Sequence, residues 1–199
     1  MSAGGASDAV GTPLRTPRVF GVGLSRTGTT SLNAALVHLG YRARHFPSLS
    51  RLPGPIRIRR REYARYDAFT DLPPAFLFRE LDARFPGAKF VLTVRDEDAW
   101  LASCARFERF QPNASIARRI LRLREAVYGC GHYDEERFRA TYRRHLEDVR
   151  AHFAKRPANL LELDVCAGAG FEALCRFLDR PLPSLPFPHE NRGEGRPSS

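Results

Sequence analysis

With 199 residues, 43% hydrophobic side chains and a mean hydropathy of −0.38, the chain can bury one substantial core, and no apolar run nears the ~20 residues that span a bilayer. A net charge of +10 and a pI near 10.2 point to an anionic ligand or partner, although only Lys89 and Lys155 among the 32 cations are lysine, an arginine bias that base composition produces as readily as function does. The cysteines at 104, 130, 166 and 175 have no C-x-x-C spacing, which excludes a zinc framework and reads as reduced thiols in a cytoplasmic protein.

Residues 1–17 are small and polar, without the basic start or apolar centre of a secretory signal, and read as a disordered leader. The run Val19-Phe20-Gly21-Val22 predicts a buried strand, followed by the loop Gly23-Leu24-Ser25-Arg26-Thr27-Gly28 and a helix from Thr29 to a stop at Gly40. A strand, a Gly-bounded loop and a helix start aim backbone N–H groups and the helix dipole at one anion. Residues 41–46 alternate and predict a short strand. Residues 47–62, with three prolines and the run IRIRRR, predict a loop or lid over a site, or else a solvated basic insertion.

A strand over 66–71 and a helix over 75–85 follow, and the near-continuously apolar 88–95 predicts a parallel strand covered on both faces. Helices are predicted over 97–103, 115–127 and 135–153, with a break at Tyr128-Gly129-Cys130-Gly131, then a last strand over 159–165 and a last helix over 168–178. Residues 192–199 read as a disordered tail. The alternation implies one α/β domain over 18–191, a three-layer sandwich with a mostly parallel central sheet and its ligand at the carboxyl ends of the strands.

Several spacings carry chemistry. The segment from Gly23 to Gly28 has the G-x-x-x-x-G of a Walker A loop, but Thr29 stands where the phosphate lysine would follow, and Arg26 is the only cation in the loop. Arg95 leaves the strongest strand and Ser103 follows eight residues later, two turns into the next helix, so a guanidinium and a hydroxyl can meet on one phosphate. Asp71, in Thr70-Asp71-Leu72-Pro73, suits either a general base or a helix cap. His45 is a second base candidate or an ordinary surface or core histidine, and His145 reads as a core histidine. Trp100 reads as core or as a partner for a base.

Together these stretches resemble the sulfotransferases. The Arg26-Thr27-Gly28-Thr29-Thr30 loop is similar to their 5′-phosphosulfate loop, Arg95 with Ser103 to their 3′-phosphate pair, and residues 70–73 to their Thr-His-Leu-Pro with Asp in place of His. Residues 166–178 and Pro186-Phe187-Pro188-His189-Glu190-Asn191 resemble one branch of the family, while the usual Arg-Lys-Gly adenine-side motif has no clear counterpart beyond Gly168 and Gly170. The resemblance implies a P-loop NTPase-like fold and metal-independent transfer of a sulfuryl group from 3′-phosphoadenosine 5′-phosphosulfate (PAPS) to a hydroxyl or amine of a small-molecule or carbohydrate acceptor. It implies that Ser25, Arg26, Thr27, Gly28, Thr29, Thr30 and Ser31 hold the 5′-phosphosulfate, that Arg95 and Ser103 hold the 3′-phosphate, and that Asp71 or His45 is the base. Segments 47–62 and 112–133 are the expected acceptor walls. A kinase of the same fold and a non-catalytic anion binder stand as alternatives; the basic runs carry too few aromatic residues for a specific nucleic-acid site. Oligomeric state is open.

Overall fold

Side-chain alternation along the strands sets the layers. The computed structural model describes residues 18–51 and 53–190; the expected leader and tail, and Asn191, lie outside the described residues. The central strand is β1 (Val19–Gly21) in a five-stranded, all-parallel sheet with β2 (Ala43–His45), β3 (Ala68–Thr70), β4 (Lys89–Thr93) and β5 (Leu160–Leu163), in the order β2-β3-β1-β4-β5. Val19, Val91 and Leu163 point to one face, where Leu32 and Leu36 of α1 (Thr29–His38) and Leu174 of α7 (Phe171–Leu178) cover them. Phe20, Phe69, Phe90 and Leu92 point to the other, against Leu77, Phe78 and Leu81 of α3 (Pro74–Arg84) and Val149 and Phe153 of α6 (Glu135–Phe153). Both faces are therefore apolar, as parallel sheets require.

A third cluster lies to the side, where α4 (Glu97–Ala105), α5 (Arg118–Tyr128) and α6 pack through Trp100, Tyr128, Phe138 and Tyr142. The rings of Tyr128 and Phe138 stack at 4.2 Å between centroids and those of Trp100 and Tyr142 at 4.6 Å. The chain order runs from β1 to one side of the sheet and then, after β3, to the other. That reversal sits beside β1, so the loop after β1 opens on the crevice where such folds bind ligands.

Two segments differ from the sequence expectation. Segment 47–62 is partly paired: Ser50 N–H donates to Arg57 O at 2.8 Å, Arg59 N–H to Ser48 O at 3.0 Å, and Leu49 bridges Ile58. Leu49 and Ile58 are both buried and anchor it, and a short helix, α2 (Arg60–Arg65), begins inside the basic run. Helix α7 starts at Phe171 rather than 168. Asp164 Oδ1 accepts from Ala167 N–H at 2.9 Å and Gly168 is left-handed (φ 98°), so the chain turns there before it can coil. All four cysteines are free, and burial pushes the Cys104 thiol up to about 12.

Where β1 ends, the backbone passes so close to β4 that a Cβ on Gly23 would lie 1.9 Å from Thr93 Oγ1 and 2.5 Å from Thr93 O. Gly23→Ala should therefore cost about 2–3 kcal/mol in a urea titration. His145, half-buried on α6, donates from Nε2 to Val22 O at 2.7 Å, and desolvation of its ring lowers its pKa. Here the unfolded chain binds the proton more readily than the folded one. Stability should hold above about pH 6.5 and fall as the pH drops below it. Urea midpoints from pH 7.5 to 5 should show that slope, and it should flatten in His145→Gln.

Candidate active site

The loop after β1 is held from the sides, and its anion-facing groups stay open. Val22 N–H continues the sheet by donating to Val91 O at 2.8 Å. Trp100, fully buried on α4, donates its Nε1–H to Ser25 O at 2.9 Å; its place is in the core, fastening the loop. Thr27 turns its hydroxyl down to Leu24 O (2.7 Å) and Thr93 Oγ1 (2.6 Å). Gly28 is left-handed (φ 95°), and a Cβ there would press on Val165 at 3.0 Å. No side chain caps α1, so its first N–H groups face a cleft of about 1260 Å³ at the carboxyl ends of the strands.

At one end of this cleft the cations gather. Arg26 is left-handed (φ 75°), a conformation costing an L-residue roughly 1–2 kcal/mol. Its Nε–H donates to Ser103 Oγ at 3.1 Å, and its guanidinium lies 4.7 Å from the Phe107 ring centre. Arg95 donates from Nη1 to Arg26 O at 3.3 Å, while its Nε is buried with no hydrogen-bond partner. Tyr142 holds the Arg95 backbone, accepting from its N–H at 2.9 Å and donating to its carbonyl. Above α1, Glu190 N–H donates to Ser31 Oγ at 3.0 Å, bringing His189 and Glu190 to the cleft rim.

In the middle stands Asp71, buried and left-handed (φ 73°). Its two oxygens are not equivalent. Oδ1 accepts short bonds from Ser25 Oγ (2.5 Å) and Leu72 N–H (2.7 Å). Oδ2 has two long contacts, Thr29 Oγ1 and His45 Nε2, each at 3.3 Å. A carboxylate only accepts, so His45 presents an Nε2–H to Oδ2, while its Nδ1 lies 3.1 Å from Thr70 Oγ1, which itself donates to Asn33 Oδ1 at 3.4 Å.

An uncapped helix start, paired arginines and a carboxylate with one loosely held oxygen stand on one cleft, and the sulfotransferase-domain family profile matches residues 18–61 and 58–195. The chain belongs to the sulfotransferase family. Ava biosynthesis cluster protein M from Aspergillus versicolor is 28% identical to this sulfotransferase over 223 aligned residues, 89% of the chain and 82% of that protein.

Most of the residues that sequence singles out open onto this sulfotransferase cleft: Ser25, Arg26, Gly28, Thr29, Thr30, Ser31, His45, Asp71 and Arg95. Two do not. The Thr27 side chain is spent on packing the loop against β4, and Ser103 lies behind Arg26, which occupies its hydroxyl. Gly168 lines the cleft with Val165 and Cys166, whereas Gly170 is not part of the lining. The acceptor walls also need correction. Residues of 112–133 do line the cleft through Ser115, Ile120, Leu123 and Arg124, but 47–62 instead borders an adjoining recess of about 380 Å³ that shares Phe46 and Ile120. Phe107 and Phe110 went unnoticed in the sequence; their spacing of three just past α4 was the available signal.

Proposed function

We propose that this sulfotransferase moves a sulfuryl group from PAPS to a hydroxyl or amine of an acceptor bound against the apolar wall of the cleft. The observation that carries this reading is the buried Arg95 Nε, a donor with no protein partner beside Arg26 and the uncapped start of α1. An unpaired buried N–H is costly, and an anionic oxygen satisfies it. These residues fit a nucleotide with phosphates at both ends. The backbone N–H groups of Thr29 and Thr30 and the Ser31 hydroxyl would hold the 5′ side, and Arg95 with Arg26 would hold the 3′-phosphate. Ser103 positions Arg26. When bound, PAPS supplies an activated sulfuryl group on a phosphate that leaves readily.

The chain's own part is placement and one proton. Asp71 Oδ1 is fixed by Ser25 and the Leu72 N–H, which aims Oδ2 into the cleft. Oδ2, with only two long contacts, is the oxygen able to turn to an acceptor hydroxyl and take its proton. His45 donates to that same oxygen and, pinned by Thr70, keeps it facing the cleft. The start of α1, on the 5′ side, stabilises the negative charge that grows on the leaving phosphate.

Calorimetric titration with adenosine 3′,5′-bisphosphate, against AMP and Mg-ATP, tests the donor site. Binding in the micromolar range should weaken at least ~10-fold without the 3′-phosphate and in Arg95→Ala, as loss of a charge-assisted bond predicts. Tight Mg-ATP binding indifferent to a 3′-phosphate would instead make this a kinase. Given an acceptor, Asp71→Asn should lower kcat by about 10²–10⁴-fold with the bisphosphate affinity retained. His45→Gln should lower kcat less; a larger loss in His45→Gln than in Asp71→Asn would make His45 the base.

A further inference from the structure

One wall of the cleft is apolar, formed by Phe46, Leu72, Phe110, Ile120 and Leu123. Set into that wall is Arg124 of α5, a cleft-lining arginine only 6% exposed. From Nη1 it donates to the carbonyls of Arg109 and Gly131, and its guanidinium lies 4.7 Å from the Phe110 ring centre. No acid answers its charge. Among the described residues neither Arg124 nor the neighbouring Arg109, which also lines the cleft, is within ion-pair distance of a carboxylate.

Among the described residues the cleft lining contains two carboxylates, and neither forms an ion pair with Arg124. Asp71 is engaged by Ser25, Leu72, Thr29 and His45. Glu190 is anchored through its backbone N–H to Ser31 Oγ, beside the start of α1. Burial and the nearby Arg109 both disfavour the charged form of Arg124 and lower its pKa. A guanidinium kept there, against its desolvation, by two carbonyls and a ring face is a cation awaiting an anion. The adjoining recess carries Arg59, Arg61 and Arg119, and acidic residues do not line it, so the positive field extends past Ile120.

We infer that the acceptor is an amphiphilic anion: an apolar, ring- or chain-bearing molecule whose carboxylate or comparable acidic group pairs with Arg124 while its hydroxyl or amine reaches Asp71. The inference depends on the sulfuryl-transfer reading only in calling that molecule an acceptor. Arg124 is the specificity determinant, and the planar fork of its guanidinium suits a two-oxygen anion. The aromatic wall supplies affinity for the body, and the arginine rejects neutral isosteres by remaining unpaired against them.

The test is calorimetry on the full chain with two matched pairs of probes, 4-hydroxyphenylacetate against 4-hydroxyphenylacetamide and 12-hydroxydodecanoate against its amide, each with and without adenosine 3′,5′-bisphosphate. In at least one pair the carboxylate should bind ~10-fold or more tighter than the amide. Arg124→Met should bring that ratio to within about two-fold while leaving bisphosphate affinity and melting temperature close to wild type, and Arg124→Lys should restore part of it. Equal affinities, a preference for the amides, no carboxylate binding at millimolar concentration, or a preference that survives Arg124→Met would overturn the inference. If Arg124→Met does not fold, Arg124→Lys and the wild-type ratios decide. A carboxylate preference in a protein that does not bind the bisphosphate would keep the anion site and overturn the donor reading instead.

Discussion

The structure depends on holding the loop after β1 without using up the hydrogen-bond donors that the loop is there to present. A backbone N–H bound to its own protein cannot serve an anion. The loop is therefore fastened by other groups: the Ser25 carbonyl on the Trp100 indole, the Thr27 hydroxyl on Leu24 and Thr93, and bare glycine backbone packed against β4 at Gly23 and against Val165 at Gly28. Beyond the loop itself these contacts come from α4, β4 and the segment after β5, and they restrain the loop while α1 keeps an uncapped start. Helices α4 and α6 matter to the site for that reason, since their stacked rings immobilise Trp100 and Tyr142, and through them Ser25 and Arg95.

The same economy appears at the two non-glycine residues that line the cleft in the left-handed region with φ above 70°. Arg26 and Asp71 each take a conformation that L side chains avoid, and each is fixed by contacts from more than one element. Strain of that kind persists only where the surroundings over-determine it. For Arg26 it directs the guanidinium toward Ser103 and Phe107, next to Arg95; for Asp71 it leaves one oxygen firmly held and the other loosely held. Charge is distributed around the cleft in the same spirit: Arg26 and Arg95 beside the loop after β1, the buried carboxylate of Asp71, and Arg124 set among apolar residues of the wall.

Much of this was legible in the chain. Parallel strands read as continuous apolar runs, and residues 19–22 and 88–95 fall near β1 and β4 because a strand covered on both faces has no polar side to interrupt the pattern. The phosphate loop was legible because its glycines are required by contacts within a few ångströms. What spacing could not supply was direction. Thr27 and Thr29 lie two residues apart on one loop, yet one turns to β4 and the other to Asp71. Ser103 is eight residues from Arg95, but Arg26, far away in the chain, takes its hydroxyl. The basic run at 57–61 read as part of a lid or of a solvated insertion because a sequence does not show that Ile58, inside it, is buried against Leu49.

By itself, then, the sequence determined the alternating α/β architecture, the position of the phosphate loop and the set of polar residues near the strand ends, since periodicity, glycine placement and residue type are local properties of the chain. The tertiary structure alone decided which of those side chains face the cleft, that His45 and Thr29 both reach Oδ2 of Asp71, that Trp100 serves the loop, and that Arg124 lies buried without a counter-charge among the described residues. The contacts that hold His45, Arg26 and Trp100 join segments from 25 to more than 70 residues apart, fixed by how helices close over the sheet, and no local pattern encodes them.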